Sequence, residues 1–221
     1  MGILRKAWSR FWKEAGLGDP HQKVSWTIED GSECYEVAVV SDTHIGSVYQ
    51  QITCLNNFVR MCGERGIDIM LSCGDQIDGI LPGMQHTYER FLHSDEAYEE
   101  YCEQNFPAMH RTYMINGNHE GALAKHSDEG YDFVKKFSRM RRDIKYCRTD
   151  EGGLMKKPVQ LPGGVRAVMY HGSSCTNENV GQKREPRLQR KVAEMMSRGV
   201  EADVYIFGHC HKECTTSFMG R

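Results

Sequence analysis

Aspartate, asparagine and histidine recur in this sequence at the ends of apolar runs, and side chains of these types can ligate a divalent metal ion. Val37-Ala38-Val39-Val40 leads through Ser41 into Asp42-Thr43-His44, whose two metal-competent residues stand two apart and share a direction if the chain is extended there. The construction returns four times. Ile67 to Cys73 runs into Gly74-Asp75-Gln76-Ile77-Asp78, and Thr112 to Ile115 runs into Asn116-Gly117-Asn118-His119-Glu120. Val165 to Tyr170 runs into His171, and Ala202 to Phe207 runs into Gly208-His209-Cys210-His211. One such ending is ordinary turn chemistry, because Asp, Asn and Gly are common turn formers. Five in chain order are not. In an α/β sheet ligands bind beyond the carboxyl ends of the strands, so all five endings are expected to meet at one metal centre.

Taken in order, Asp42-x-His44, Gly74-Asp75, Gly117-Asn118-His119-Glu120, His171 and Gly208-His209-x-His211 resemble the motifs of the calcineurin-like metallophosphoesterase superfamily, over about residues 35 to 214. The resemblance implies an α/β fold of the αββα sandwich type holding two divalent ions. It implies Asp42, His44, Asp75 and His211 as ligands of one ion and Asp75, Asn118, His171 and His209 as ligands of the other, with Asp75 bridging. Protein Ser/Thr phosphatases of this superfamily usually carry an arginine directly after the second aspartate of Gly-Asp-x-x-Asp, but here Gly79 follows Asp78. Ser41-Asp42-Thr43-His44-Ile45-Gly46 together with Gly117-Asn118-His119-Glu120 is more similar to the phosphodiesterase and DNA-repair exonuclease branch. The chain ends ten residues after His211, where relatives add strands of the second sheet, so those C-terminal strands are expected to be lacking.

The chemistry suits these residue types without the resemblance. Imidazole, carboxylate and amide oxygen favour manganese, iron, zinc or nickel over calcium, and manganese is the expectation. Two such ions about 3.5–4 Å apart clamp the attacking and leaving oxygens of an in-line displacement at phosphorus and bring hydroxide within reach at neutral pH. A bridging carboxylate suits that spacing. His119, beside the ligand Asn118 and not itself a ligand, is the candidate to protonate the leaving alkoxide or to stabilise the phosphoryl group.

The elements that must position these residues follow from periodicity. A hairpin is expected from Val24 to Ile28, a turn at Glu29-Asp30-Gly31-Ser32, and a strand from Tyr35 to Val40. Ile52, Leu55, Phe58, Val59 and Cys62 recur at helical spacing, so strand, helix and strand follow one another by residue 73 and imply a right-handed parallel crossover. The first strand, continuously apolar, reads as buried on both faces. An amphipathic helix is expected over residues 1–17, with Ile3, Leu4, Trp8, Phe11 and Trp12 on one face, and residues 1–20 form a separate helix and linker before the domain of residues 21–221. That basic, Trp-bearing helix suits docking on a partner or a membrane surface as well as packing on its own domain. No run is long enough to span a membrane.

An insertion over about residues 79–110 carries Glu89, Asp95, Glu96, Glu99, Glu100 and Glu103 and stands where a substrate-selecting lid could. Residues 131–148 are the opposite in charge. Lys135, Lys136, Arg139, Arg141, Arg142, Lys145 and Arg148 alternate there with Tyr131, Phe133, Phe137 and Tyr146, a composition that can bind nucleic-acid phosphate and stack bases. A second cluster, Lys183, Arg184, Arg187, Arg190 and Lys191, follows His171 closely, and Arg184 and Arg187 are the candidates to grip a substrate phosphate bidentately. The formal net charge of −2 makes any attraction to a polyanion a local matter. Nine cysteines without a Cys-x-x-Cys pair point to reduced thiols and a cytoplasmic setting.

Together these features predict a dinuclear, metal-dependent phosphoesterase that hydrolyses a phosphate ester, as a phosphodiesterase or nuclease with nucleic acid among its substrates. A phosphomonoesterase acting on small molecules or phosphoproteins is the alternative, and a non-catalytic scaffold of the same fold is a third reading.

Overall fold

The computed structural model describes residues 26–27, 33–79, 88–126, 131–172, 184–211 and 216. The expected N-terminal helix, the hairpin turn, Lys183 and part of the insertion lie outside them. Strands β1 (Trp26–Thr27) and β2 (Glu33–Cys34) pair antiparallel, so the expected hairpin closes on Glu33 and Cys34 rather than on the strand from Tyr35 to Val40. The chain then enters β3 (Ala38–Val40), α1 (Ile52–Glu64), β4 (Ile69–Cys73), α2 (Asp95–Asn105), β5 (Arg111–Ile115), α3 (Asn118–His126), α4 (Phe133–Met140) and β6 (Ile144–Tyr146). It finishes through β7 (Val159–Gln160), β8 (Arg166–Tyr170), α5 (Arg184–Ser197) and β9 (Val204–Phe207).

β3, β4, β5 and β6 form a parallel sheet in that order. β8 lies between β7, antiparallel to it, and β9, parallel to it. The register brings Val40 opposite Ser72, Cys73 opposite Ile115 and Tyr170 opposite Phe207, so within each sheet the motif-bearing strands finish level with one another. Strand alternation divides the core in two. Met70, Met114 and Ile144 face the helices, where they pack with Leu55, Val59, Phe133 and Phe137, while Leu71, Cys73 and Ile115 face the second sheet and pack with Ala167, Val168 and Met169. Leu188 and Met195 of α5 close that second cluster. The layers are those of an αββα sandwich.

The first strand, β3, is not buried on both faces as expected, whereas β4 is. Val39 is 45% exposed. Among the described residues β3 pairs with β4 alone, and at this margin the face that β4 presents to the second sheet through Leu71 is left open.

Local signals account for the helices. α1 buries Leu55, Val59 and Cys62 at intervals of four and three, part of the stripe expected from sequence, whereas Phe58 of that stripe is exposed. Ser94 caps α2 by accepting from Ala97 N–H, with Asp95 and Glu96 in the first turn, and Asp132 caps α4 by accepting from Lys135 N–H. Among the described residues no helix is long and apolar enough to cross a membrane.

The basic segment of residues 131–148 divides between α4 and β6, and its aromatic side chains are not free to stack bases. Phe133 and Phe137 are fully buried, Tyr131 donates to Glu99 at 2.7 Å and Tyr146 donates to Asp132 at 2.8 Å. Lys136 pairs with Glu99 at 2.6 Å, and Arg141 pairs with Asp143 while lying against Phe106 and Phe137. Burial of each phenyl ring stabilises the fold by about 1.5–3 kcal/mol, which is reason enough for the aromatic residues at these positions.

Candidate metal centre

Asp42, His44, Asp75, His209 and His211 have left-handed backbones, with φ of 56°, 42°, 51°, 76° and 47°. They are the only non-glycine residues with positive φ among the described residues, and each such placement costs on the order of 1 kcal/mol or more. All five are residues that the sequence singled out as ligands. The extended geometry expected for Asp42 and His44 is therefore wrong. β3 ends at Val40, and the chain bends sharply to aim both side chains at the end of the sheet. The bend is held by backbone bonds to the loop after β4: Asp42 N–H donates to Gly74 at 3.0 Å, His44 N–H to Asp75 at 3.1 Å and Ile45 N–H to Gln76 at 2.8 Å.

Two groups of donor atoms result, and Asp42 and Asp75 stand between them. In the first, His211 Nε2 lies 3.3 Å from His44 Nε2 and 3.2 Å from Asp42 Oδ1. In the second, His171 Nε2 lies 3.0 Å from Asp75 Oδ2, 3.1 Å from Asn118 Oδ1 and 4.0 Å from Asp42 Oδ1, with the His209 ring centred 5.2 Å from that of His171. Asp42 with His44 and His211, and Asp75 with His171 and His209, each have ligand atoms within 4.8 Å of one another. A third group of the same kind joins His44, Asp75 and His119, which brings His119 closer to the coordinating set than its role as a non-ligand required.

The donor set fits a cation. His171 Nδ1 stands 2.6 Å from the carbonyl of Cys73, which can only accept, so Nδ1 carries a proton and Nε2 faces two oxygens that are electron-pair donors. A second proton on Nε2 reconciles the three atoms in the metal-free chain, and a metal ion among them would do the same for the neutral imidazole. Donors held about 2.0–2.2 Å from one ion stand about 3–3.5 Å apart, the separations seen in both groups.

The fields at the centre favour the charged forms of His171, His44 and Asp75 and the neutral form of His209. Burial pulls the His171 pKa down, but the hydrogen bond and charge of Asp75, with Asp42 behind it, carry it well above the usual histidine value. Burial opposes ionisation of Asp75, yet its hydrogen bond to His171 and the nearby imidazoles hold its carboxyl below the usual range. His44 is shifted up, against its burial, by Asp78 and then by Asp75 and Asp42. Burial and the charge of His171 lower His209.

Some contributors were not singled out from sequence. Asp78 Oδ1 stands 3.4 Å from His44 Nδ1, the arrangement by which a carboxylate orients a ligating imidazole, and its signal was the fourth position of Gly74-Asp75-Gln76-Ile77-Asp78. The Asp78 carbonyl accepts from His119 Nδ1 at 2.6 Å, leaving His119 Nε2 toward the centre, 3.9 Å from Asp75 Oδ2. Glu120 is buried and accepts from the backbone N–H groups of Asp75, Ile77 and Gly117 at 3.1, 3.0 and 2.7 Å. Two glycines are required by close approach. A Cβ on Gly74 would overlap the His171 ring, and one on Gly117 would overlap the backbone and carboxylate of Asp75.

A cavity of about 830 Å³ opens on the first group, lined by Asp42, His44, Asp78, His119 and His211. Of the arginines expected to grip substrate, Arg187 is 9% exposed in α5 and does not line this cavity, and the side chain of Arg184 lies outside the described residues. Lys191 pairs with Glu194 at 3.0 Å and lies over the Tyr170 ring.

The model of the calcineurin-like phosphoesterase family matches residues 35–213 of the chain. No curated protein sequence matches it.

Proposed function

We propose, for a chain that belongs to the calcineurin-like phosphoesterase family and is thereby a metal-dependent phosphoric ester hydrolase, that it cleaves phosphodiesters at a dinuclear centre bridged by Asp75. The observation that carries this reading is the pair of ligand groups at the strand ends, one holding Asp42, His44 and His211 and the other Asp75, His171 and His209. Asp42, His44, Asp75 and His211 would hold one ion, and Asp75, Asn118, His171 and His209 the other; manganese suits these donors, as do iron, zinc and nickel. When bound, the ions supply Lewis acidity toward the phosphoryl oxygens and a hydroxide nucleophile at neutral pH.

The rest of the chemistry belongs to the chain. His119, with Nδ1–H given to the Asp78 carbonyl, would in its doubly protonated form pass the Nε2 proton to the departing alkoxide and be left neutral. Asp78 holds the His44 imidazole in its ligating orientation, and Glu120 ties the loops that carry Asp75 and Asn118. Asp75 and His171 are almost out of water, which strengthens each charge interaction at the phosphorus.

A diester is favoured because the cavity runs on beyond His44 and His119 past Tyr49, Gln50 and Arg90, with room for a second ester group. Nucleic acid is one such diester. Exposed Lys135, Arg139, Arg142, Lys145 and Arg148 support phosphate contacts, while the buried rings exclude stacking by Phe133 and Phe137. Reduced thiols at Cys34, Cys54, Cys62, Cys73, Cys102, Cys147 and Cys210 support a cytoplasmic setting.

The test is a panel with manganese: bis-p-nitrophenyl phosphate, p-nitrophenyl phosphate, cyclic nucleotides, and single- and double-stranded DNA. Faster diester turnover is expected. A monoester preference selects the phosphomonoesterase reading, and two bound ions without any turnover, or no bound ion, overturns the enzyme for the scaffold.

A further inference from the structure

Arg90 was not among the residues that the sequence singled out, yet it is the one lysine or arginine among the described residues lining the cavity of the metal centre. Its backbone is fixed against the loop that follows Asp42 and His44. Ser47 and Arg90 form an antiparallel bridge, Val48 N–H donates to Glu89 at 2.7 Å and Phe91 N–H donates to Gly46 at 3.0 Å. Its side chain is fixed as well, because Nη1 donates to the Gly79 carbonyl at 2.8 Å. Gly79 directly follows Asp78 and packs on His119, whose carbonyl oxygen would lie 3.2 Å from a Cβ placed there. The guanidinium is thus moored on the peptide that adjoins the candidate proton donor.

Its charge is not answered. No carboxylate among the described residues pairs with Arg90, and Nε is out of water without a hydrogen-bond partner. A guanidinium has five N–H donors in a planar fork, and one carbonyl satisfies only one of them. Leaving a partly buried cation unpaired is costly, and an anion in the cavity removes that cost. The planar fork matches phosphoryl oxygens, which accept such bonds in pairs.

We propose that Arg90 binds a non-bridging oxygen of the substrate's phosphoryl group, orienting the ester against the centre, the role that sequence had given to Arg184 and Arg187. This rests on the phosphoesterase reading above. Arg90 acts as a binding residue: it sets the affinity for a phosphate anion and carries no proton.

The experiment titrates inorganic phosphate into the zinc-loaded chain by calorimetry, for wild type, Arg90→Gln and Arg90→Lys. Glutamine keeps a donor for Gly79 and removes the charge. Phosphate affinity is expected to fall about tenfold to a hundredfold in Arg90→Gln, with metal content and Tm unchanged, and to recover in part in Arg90→Lys. KM for bis-p-nitrophenyl phosphate should rise in Arg90→Gln by more than kcat falls. In the wild type, independent of any variant, the Arg90 Nε–H resonance should shift on adding phosphate. Unchanged phosphate affinity in a folded Arg90→Gln, or an unmoved Nε–H resonance at saturating phosphate, overturns the proposal. The two readings fail separately. Absence of ester hydrolysis by the wild type counts against the function, whereas hydrolysis with Arg90→Gln binding phosphate as the wild type does counts against Arg90 alone.

Discussion

The buried carboxylate of Glu120 accepts the backbone N–H of Asp75 at 3.1 Å, so the last residue of the third motif holds the central aspartate of the second in place. Glu120 also takes Ile77 and Gly117, and burial together with the charge of Asp75 raises its pKa. A carboxylate suits this post because all three partners are donors. Glu120→Gln turns an amide NH₂ toward at least one N–H, and we expect a loss of about 1–3 kcal/mol in stability and of about 10–100-fold in metal affinity. Thermal unfolding and metal titration check both; unchanged values in both would mean that the clamp is dispensable.

Asp75→Asn should abolish activity more completely than loss of a ligand that serves one group. Asp75 reaches toward His171 through Oδ2 and accepts His119 N–H through Oδ1 at 2.9 Å, and an amide lacks the charge for the bridging place between two cations. The loss should exceed the about 10–100-fold typical of an outer partner. Near-normal turnover with two metals per chain would show that the site is wrongly assigned.

His119 separates binding from chemistry. With Nδ1 fixed on the Asp78 carbonyl and Nε2 toward the centre, His119→Ala should leave both metals bound and KM nearly unchanged while lowering kcat by about 10²–10⁴. The loss should be larger for esters with poor alkoxide leaving groups than for p-nitrophenyl esters, whose leaving group departs without a proton. Loss of one metal instead would place His119 in the coordination shell, as its grouping with His44 and Asp75 allows.

Stability should depend on pH in opposite senses with and without metal. In the metal-free chain the folded His171 pKa is raised above its unfolded value near 6.5, so its contribution is fully present below pH 6.5 and is lost as pH rises through the folded value. Glu120, also raised, acts in the same direction, since the folded state binds the proton more tightly than the unfolded one. With metal, His171 must be neutral to ligate, so added pH favours the loaded fold. In chelator, Tm should therefore begin to fall above about pH 4.5, as Glu120 loses its proton through about 7, and fall further above about pH 6.5 with His171, whereas in excess manganese it should rise above about pH 6.5. A Tm that falls with pH in both would remove His171 from the ligands.

Much of this protein was determined by its sequence alone. Apolar runs ending in Asp, Asn or His marked β3, β4, β5, β8 and β9 because periodicity and side-chain type are local properties that no distant contact needs to supply. The apolar stripe of α1 was legible for the same reason. Tertiary structure alone decided the rest. The left-handed turns at Asp42 and His44 are imposed by backbone bonds to the loop after β4, and backbone bonds leave no trace in side-chain pattern. The rings of Phe133 and Phe137 looked available to bases until packing against the parallel sheet buried them. Arg90 comes beside Asp78 and His119 only through the pairing of residues 46–48 with residues 89–91, a long-range contact between main chains. Residue types marked the candidate metal donors, but the fold chose which arginine lines the cavity beside them.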